Sequence, residues 1–352
     1  MEQKNLLILF GGQSSEHEIS CMSAANIIRN IDRDRYQMIL VGITKEGHWV
    51  LTDNLKQIED GSWIMGNVSA VLSPDATKKC LYLIDSFRTR EVPIDAAFPI
   101  LHGLYGEDGT VQGIFELAGI PYVGCGVLSS ALCMDKVYTK LIVESLKIRQ
   151  AAHVSVNRIE LDDEESVLRK IETAIPYPMF IKPSCAGSSQ GIRKVMHRPE
   201  LYPALLNAAN HDSKVLAEEA IEGRELECAV FGTDRMVVVS GVGEIKSASE
   251  FYDFDAKYHN EESITDTDPD LPEPVFDEIR EKAEKIFRAT GCYGLARVDF
   301  FLDAKGVVFN EINTMPGFTA ISMYPMLFEE MGISKKQLVT DLIETAFIRQ
   351  EH

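Results

Sequence analysis

The clearest pattern of hydrophobic and polar positions lies in residues 296–323, where apolar and polar residues alternate on both sides of a short turn. Alternation with a period of two predicts two β-strands. It places Arg297 and Asp299 on one face of the first strand and Glu311 and Asn313 on one face of the second. We therefore expect a hairpin with one chemically active face.

The turn predicts which residues of the two strands face each other. A three-residue loop, 304–306, would pair Asp303 with Val307. In that register Asp299 faces Glu311 with Cβ atoms about 5 Å apart, and the arginine faces the asparagine. Opposed carboxylates destabilise a sheet unless a cation lies between them, and carboxylate and amide oxygens favour Mg²⁺. A surface hairpin with solvated acids is the alternative.

The N-terminal part predicts a parallel sheet. An apolar strand, 5–10, is followed by a glycine-containing loop, an amphipathic helix and a second strand, 36–44. Ligands bind at the carboxyl ends of such strands, which places Glu16 near a site. A third strand, 96–101, is followed by His102. The sequence favours a ligand-binding role and a structural role for this histidine equally.

A glycine-containing loop follows in the middle of the chain. A helix over 129–146 carries Lys136 and Lys140 on one face, and pattern alone predicts that both are solvated. A strand then ends at Lys182, and the loop 184–191 leads into another strand. Such a loop lays backbone N–H groups over phosphates, with a flexible hairpin as the alternative. Neither the P-loop nor the dinucleotide-binding motif occurs.

Two further segments fit a nucleotide site. The strand 215–219 ends in Glu218 and Glu219, and Glu225 follows; such acids can bind an adenine amino group or ribose hydroxyls. Residues 246–266 are aromatic, charged and irregular, which predicts a functional lid.

Composition limits the class of protein. The 352 residues are 45% hydrophobic and 25% charged, which is typical of a globular protein with more than one domain. A net charge of −19 argues against a nucleic-acid partner. No apolar run approaches the ~20 residues of a membrane span, and no secretion signal is evident. Seven scattered cysteines without a C-x-x-C pair favour free thiols in the cytoplasm.

Six sequence blocks, in order, resemble those of the ATP-grasp ligases, and of the D-alanine–D-alanine ligases in particular. They are GGQSSEHEIS (11–20), HGLYGEDGTVQG (102–113), MDK (134–136), KPSCAGSSQG (182–191), FYDFDAKY (251–258), and ARVDF with NEINTMPGFT (296–300 and 310–319). The resemblance implies a three-domain α/β fold. Its parts are an N-terminal parallel-sheet (Rossmann-like) substrate domain, 1–124, a central ATP-grasp domain, 125–217, and a C-terminal ATP-grasp domain, 218–352, with ATP between the last two.

The resemblance also implies a reaction. ATP phosphorylates the carboxylate of one D-alanine, which gives an acyl phosphate and ADP. The amine of a second D-alanine attacks the acyl phosphate, and phosphate leaves the tetrahedral intermediate, which gives D-alanyl-D-alanine for peptidoglycan precursors. The implied cofactors are ATP as co-substrate and two Mg²⁺, with Mn²⁺ as a substitute and K⁺ as a further candidate. A homodimer is expected. Ligases that use D-serine or D-lactate, and a nucleotide-binding regulatory module without turnover, are the alternatives.

Site residues are carried over motif by motif. The implied metal ligands are Asp299, Glu311 and Asn313. The implied ATP contacts are Lys136, Lys182, Ser188, Ser189, Glu218, Glu219, Ile221, Glu225, Lys257 and Glu311. The implied substrate contacts are Glu16, His102, Tyr258, Arg297, Asn313, Gly317, Ser322 and Met323. The implied catalytic residues are Glu16, Ser188, Tyr258, Arg297 and Gly317.

Two of these positions bear on the second substrate. The resemblance places Tyr258 and Met323 beside its pocket. Tyr258 stands where D-lactate ligases supply a histidine, and it favours an amine nucleophile. Met323 stands where D-serine ligases commonly have an arginine, and it offers a substrate hydroxyl no partner. D-alanine is therefore the expected second substrate.

Overall fold

The computed structural model of the chain describes residues 3–187, 190–246 and 264–350. The strands are β1 Lys4–Gly11, β2 Tyr36–Ile43, β3 Trp49–Thr52, β4 Ser69–Leu72, β5 Cys80–Ile84, β6 Thr89–Pro93, β7 Ala96–Pro99, β8 His153–Asn157, β9 Met179–Pro183, β10 Arg193–Val195, β11 Lys214–Glu219, β12 Arg224–Gly232, β13 Val237–Lys246, β14 Ile264–Asp266, β15 Gly294–Asp303 and β16 Gly306–Asn313. The helices are α1 His17–Asn30, α2 Leu55–Asp60, α3 Thr110–Ala118, α4 Val127–Met134, α5 Lys136–Ser145, α6 Glu164–Ala174, α7 Arg198–Ala209, α8 Glu273–Ala289, α9 Met323–Glu330 and α10 Lys335–Gln350. Short 3₁₀ turns cover Ser62–Met65 and Arg158–Asp162.

The first sheet is mixed. Its strand order is β6-β5-β4-β3-β2-β1-β7, and β1 pairs in parallel with both β2 and β7. This confirms the predicted β-loop-α-β unit. Strands β3 to β6 instead form antiparallel pairs, so the sheet that contains the predicted parallel unit is mixed. The connections from β2 to β3, from β4 to β5 and from β5 to β6 are too short for parallel crossovers, whereas the longer connection from β3 to β4 contains α2.

The second sheet carries the loop 184–191, which was expected to cover phosphates and is called the phosphate loop below. Its order is β10-β9-β11-β8, and β9 pairs antiparallel with β10 across the loop. The prediction of a single helix over 129–146 is wrong, because the chain forms two helices, α4 and α5, that are separated by Asp135. The Asp135 carboxylate accepts hydrogen bonds from the backbone N–H groups of Val137 and Tyr138, at 3.0 and 3.3 Å. Asp135 therefore caps the start of α5.

The third sheet, β14-β13-β12-β15-β16, contains the predicted hairpin with one correction. The loop has two residues, because Asp303 pairs with Gly306, one position earlier than predicted. A β-bulge leaves Asn310 as an extra residue and restores the predicted acid–acid and arginine–asparagine pairs. The bulge also turns Phe309 to the apolar face, where its ring lies 6.2 Å from that of Phe300.

The largest core cluster joins the two ends of the chain. Phe98 of β7, Phe328 of α9 and Leu342 of α10 belong to it. This packing sets the segment after β16 against the first sheet. The expected domain boundaries remain predictions. Strand β11 spans the expected boundary between residues 217 and 218. Among the described residues no helix is long and apolar enough to cross a lipid bilayer.

Candidate active site

A cavity of about 160 Å³ lies between the second and third sheets. Its lining includes all of the ATP contacts expected within the described chain: Lys136, Lys182, Glu218, Glu219, Ile221, Glu225 and Glu311. Asp299 lines the same cavity. These residues are up to 175 positions apart, and one helix, α5, and five strands, β9, β11, β12, β15 and β16, bring them together. Ser188, Ser189 and Lys257 lie outside the described residues.

One wall of the cavity is an ion cluster around Glu218. Its carboxylate is 4% exposed and lies 2.5 Å from Lys182 Nζ through one oxygen, and it pairs with Lys140 through the other. Burial raises the pKa of Glu218, but the two ammonium groups outweigh it and hold the pKa at about 2. Burial acts to lower the pKa of Lys182, whereas Glu218 raises it above its usual range. The prediction that Lys140 is solvated is wrong, because only 2% of it is exposed.

The start of α5 is bound to the phosphate loop. Lys136 Nζ donates to the Ala186 carbonyl at 2.9 Å and lies 3.9 Å from Glu311 Oε2, so it lies between the loop and the hairpin. Asp135 also accepts from the Ser184 hydroxyl at 2.6 Å and pairs with Lys214 at 2.5 Å. Asp135 was not predicted as a site residue, although an acid directly before a helix is a recognisable capping signal.

The hairpin presents a compact polar group to the cavity. The Asp299 carboxylate accepts two hydrogen bonds from Arg297, at 2.7 and 2.8 Å, and one from the Asn313 amide at 3.0 Å. Arg297 also lies 3.1 Å from Glu227. Glu311 is paired directly opposite Asp299 in the sheet. Two acids and an amide therefore meet beside the lysines that face the phosphate loop.

This group of side chains fits a divalent cation. Asp299, Glu311 and Asn313 supply hard oxygen donors, and Mg²⁺ takes only one or two carboxylates and fills its remaining positions with water and phosphate oxygens. The described residues hold no cluster of three His, Cys, Asp or Glu side chains, so a metal here would depend on the amide and on ligand oxygens. When bound, such a cation would neutralise charge on a transferring phosphoryl group.

Glu16 lies where three loops meet. An ideal Cβ built on Gly103 would lie 2.5 Å from Glu16 Oε2, and one on Gly187 would lie 3.1 Å from the same oxygen. The carboxylate therefore sits against both the loop after β7 and the phosphate loop. Ser14 fixes its position by accepting from the Glu16 N–H at 3.2 Å and donating to the His102 carbonyl at 2.8 Å. Tyr258 and Ser188, the expected partners of Glu16, lie outside the described residues.

His102 is buried and uses both ring nitrogens within the protein. Nδ1 lies 2.8 Å from the Met315 carbonyl, and Nε2 lies 3.0 Å from Ser23 Oγ. Burial lowers the pKa of His102 and outweighs the nearby charge of Glu16, so the ring is neutral. The structure thus shows His102 joining the first sheet to the segment after β16.

Glu107 is a residue that the sequence did not single out. Its two oxygens accept from the N–H groups of Gly103 and Met315, at 2.7 and 2.9 Å. Loss of water and the neighbouring carboxylate of Glu16 raise the pKa of Glu107 to about 8. No spacing rule would have found this contact, because Glu107 and Met315 are 208 positions apart.

Three of the expected substrate contacts, Gly317, Ser322 and Met323, lie after β16. The Ser322 hydroxyl accepts from the Thr319 N–H at 2.9 Å and so fixes the turn that contains Gly317. Met323 opens α9 and is 3% exposed. Its sulfur lies against Gly243 of β13, where an ideal Cβ would approach it to 2.3 Å. This corner of the site is apolar.

Comparison with known proteins identifies the family. Residues 5–125 match the family described as the D-ala D-ala ligase N-terminus, and residues 142–344 match the D-ala D-ala ligase C-terminus. The chain belongs to the D-alanine–D-alanine ligase family. A D-alanine--D-alanine ligase of Acetivibrio thermocellus is 47% identical, over 99% of this chain and 97% of the relative. One of Caldicellulosiruptor bescii is 46% identical, over 98% of this chain and 96% of the relative.

Solved structures give the same result. The VanG D-Ala:D-Ser ligase from Enterococcus faecalis is 40% identical with a TM-score of 0.90, over 98% of this chain and 100% of that one. The D-alanine-D-alanine ligase from Coxiella burnetii is 33% identical with a TM-score of 0.85, over 100% of this chain and 96% of that one. The expected ATP-grasp ligase fold is therefore confirmed.

Proposed function

We propose that this chain is an ADP-forming ligase that uses ATP to join two D-alanine molecules into D-alanyl-D-alanine, the dipeptide of peptidoglycan precursors. Membership of the D-alanine–D-alanine ligase family shows the activity. One structural observation supports it at the level of residues. The expected ATP contacts of the described chain line a single cavity beside the acid–acid pair of the hairpin.

ATP would lie along this cavity between the two ATP-grasp sheets. Lys136 and Lys182 would neutralise phosphate oxygens, since both ammonium groups already line the cavity. Glu218, Glu219 and Glu225 would accept hydrogen bonds from the adenine amino group and the ribose hydroxyls. The loop 184–191 would cover the phosphates with backbone N–H groups.

The first D-alanine would lie beside Glu16, whose carboxylate lies against two loops and would hold the substrate ammonium. The carboxylate carbon of this D-alanine would become the electrophile once the carboxylate is phosphorylated. Arg297 and the Gly317 N–H would then stabilise the oxyanion formed when the second amine attacks. These roles remain proposals, as do those of Ser188, Tyr258 and Lys257.

D-serine is the second candidate for the acceptor, because a structural neighbour is a D-Ala:D-Ser ligase. The surroundings of Met323 argue against it here. Met323 donates no hydrogen bond and packs against Gly243, so the hydroxyl of D-serine would lose water without gaining a partner. Such a loss costs about 1–3 kcal/mol, which corresponds to roughly 5- to 150-fold discrimination.

The finer properties are proposals from the family. We place Mg²⁺ at two sites on the hairpin, with Mn²⁺ as a substitute and K⁺ as an additional ion, and we expect a homodimer in the cytoplasm. The use of ATP and the seven free cysteines support that location. Metal titration and light scattering would test the ions and the dimer separately.

The activity is tested by ADP release from ATP and Mg²⁺ with D-alanine, L-alanine, D-serine and D-lactate in parallel. We expect ADP and a dipeptide of matching mass with D-alanine. L-alanine is the matched control, because it differs only in configuration, and it should give neither. ADP release that does not depend on D-alanine, or that yields no dipeptide, would contradict the proposal.

A further inference from the structure

Two loops of this site are joined by the side chains of Glu107, His102 and Ser23, of which Glu107 and Ser23 have no assigned role. We call residues 102–109 the first-substrate loop and residues 314–318 the oxyanion loop. Glu107 Oε1 accepts from the Met315 N–H at 2.9 Å. His102 Nδ1 contacts the Met315 carbonyl at 2.8 Å, and Ser23 Oγ accepts from the Phe318 N–H at 3.0 Å. Gly317 lies between these two anchored residues.

The protons of this network can be assigned consistently. The Phe318 N–H donates to Ser23 Oγ, so the Ser23 hydroxyl is free to donate to His102 Nε2 at 3.0 Å. Nδ1 then carries the ring proton and donates it to the Met315 carbonyl. Above its raised pKa of about 8, Glu107 is ionised, and its two acceptor oxygens satisfy the Met315 N–H and the Gly103 N–H together. Every bond thus has one donor and one acceptor.

We propose that Glu107, supported by His102 and Ser23, is a positioning residue that holds the oxyanion loop in register with the first-substrate loop. This inference rests on the proposed function, because the Gly317 N–H is the group that it positions. Glu107 acts through Met315, because backbone N–H groups occupy both of its oxygens. Its second oxygen, on Gly103, ties the same carboxylate to the backbone against which Glu16 is packed.

The neighbouring residue, Asp108, shows that an acid can stabilise the first-substrate loop without contacting the oxyanion loop. Asp108 also accepts from two backbone N–H groups, those of Tyr105 and Thr110, both at 2.9 Å. Both partners belong to the same stretch of chain. Asp108 thus stabilises the first-substrate loop, whereas Glu107 joins it to a loop more than 200 residues away. The two acids form a natural pair for comparison.

Glutamine at position 107 would keep the size of the side chain but would supply only one acceptor oxygen. The N–H group of either Gly103 or Met315 would then lose its acceptor, because the NH₂ of the glutamine amide, which is a donor, would face it. Oxyanion donors must lie close to where the charge develops, and a displacement of about 1 Å can cost about 100-fold in rate. We therefore expect Glu107→Gln to lower kcat by about 10- to 100-fold.

The test compares Glu107→Gln with Asp108→Asn in the full-length enzyme at a pH above 8, where Glu107 is ionised. For Glu107→Gln we expect the affinity for a D-alanine phosphinate transition-state analogue to fall in parallel with kcat/KM. The KM for ATP and the melting temperature should stay close to wild type. Asp108→Asn should keep a wild-type kcat. A merely structural role would instead lower the melting temperature and leave the analogue affinity of the folded fraction unchanged.

Two results would overturn the inference: a wild-type kcat in Glu107→Gln, or an equal loss of kcat in Asp108→Asn. If Glu107→Gln does not fold, Ser23→Ala decides, because it removes the acceptor of the Phe318 N–H on the other side of Gly317. Unchanged kcat and analogue affinity in Ser23→Ala would then refute the proposal. A wild-type enzyme without ligase activity would count against the proposed function instead, so the two failures are distinct.

Discussion

Replacing Glu218 with glutamine would test the ion cluster in the cavity between the second and third sheets. The amide keeps the shape of the side chain but removes the negative charge that faces Lys140 and Lys182. Lys140 is 2% exposed, so its ammonium group would lose its ionic partner in a site that water barely reaches. Breaking a buried ion pair from one side leaves an uncompensated charge, which is strongly destabilising.

The magnitude follows from the pKa of Glu218. A decrease from 4.5 to about 2 corresponds to about 3 kcal/mol of preference for the charged form in the folded state. Because the folded-state pKa lies below the unfolded value, this stabilisation is complete above pH 4.5 and is lost as the pH falls toward 2. We therefore expect Glu218→Gln to lose about 3 kcal/mol at neutral pH, and its difference from wild type to shrink in acid.

Urea denaturation followed by circular dichroism at neutral pH and in acid would measure this difference. Glu284→Gln is the matched control, because Glu284 forms an exposed ion pair with Arg288 at 2.8 Å, four positions along α8. Exposed pairs contribute about 0.5 kcal/mol or less. If Glu218→Gln were no more destabilised than Glu284→Gln at neutral pH, the described charge balance would be wrong.

Two further substitutions test the hairpin and the acceptor pocket. Glu311→Gln should fold normally and lose turnover, because it removes a charge from the metal group; ADP release at the wild-type rate from a folded variant would exclude Glu311 as a ligand. Met323→Arg should shift the product toward D-alanyl-D-serine and destabilise the protein by about 1–3 kcal/mol, because the longer side chain must pass Gly243. Met323→Leu is the apolar control and should keep D-alanyl-D-alanine; a D-serine product from it would contradict the role given to Met323.

The hairpin shows how far a sequence pattern can be taken. Alternation correctly predicted that Asp299 faces Glu311. The predicted loop was one residue too long, and the unpredicted bulge at Asn310 compensated for it. A bulge depends on how Phe309 packs against the rest of the core, and that information is not local. The pairing was therefore predictable, but its detailed path was not.

The residues that the sequence missed have partners far along the chain. Helical spacing correctly placed Lys136 and Lys140 on one side of α5, but it could not show that β11 covers Lys140 with Glu218. Glu107 was equally hidden, because its partner at Met315 comes from the other end of the molecule. Motif resemblance pointed to residues that line one cavity, whereas only the tertiary contacts revealed their neighbours.

The account depends most on the identity of the dipeptide that the wild-type enzyme makes. Equal concentrations of D-alanine and D-serine, with ATP and Mg²⁺ near neutral pH, would let the two acceptors compete, and mass spectrometry would identify the product. The apolar surroundings of Met323 predict D-alanyl-D-alanine in large excess, by roughly 5-fold or more. A product that is mostly D-alanyl-D-serine would contradict this account of the acceptor site.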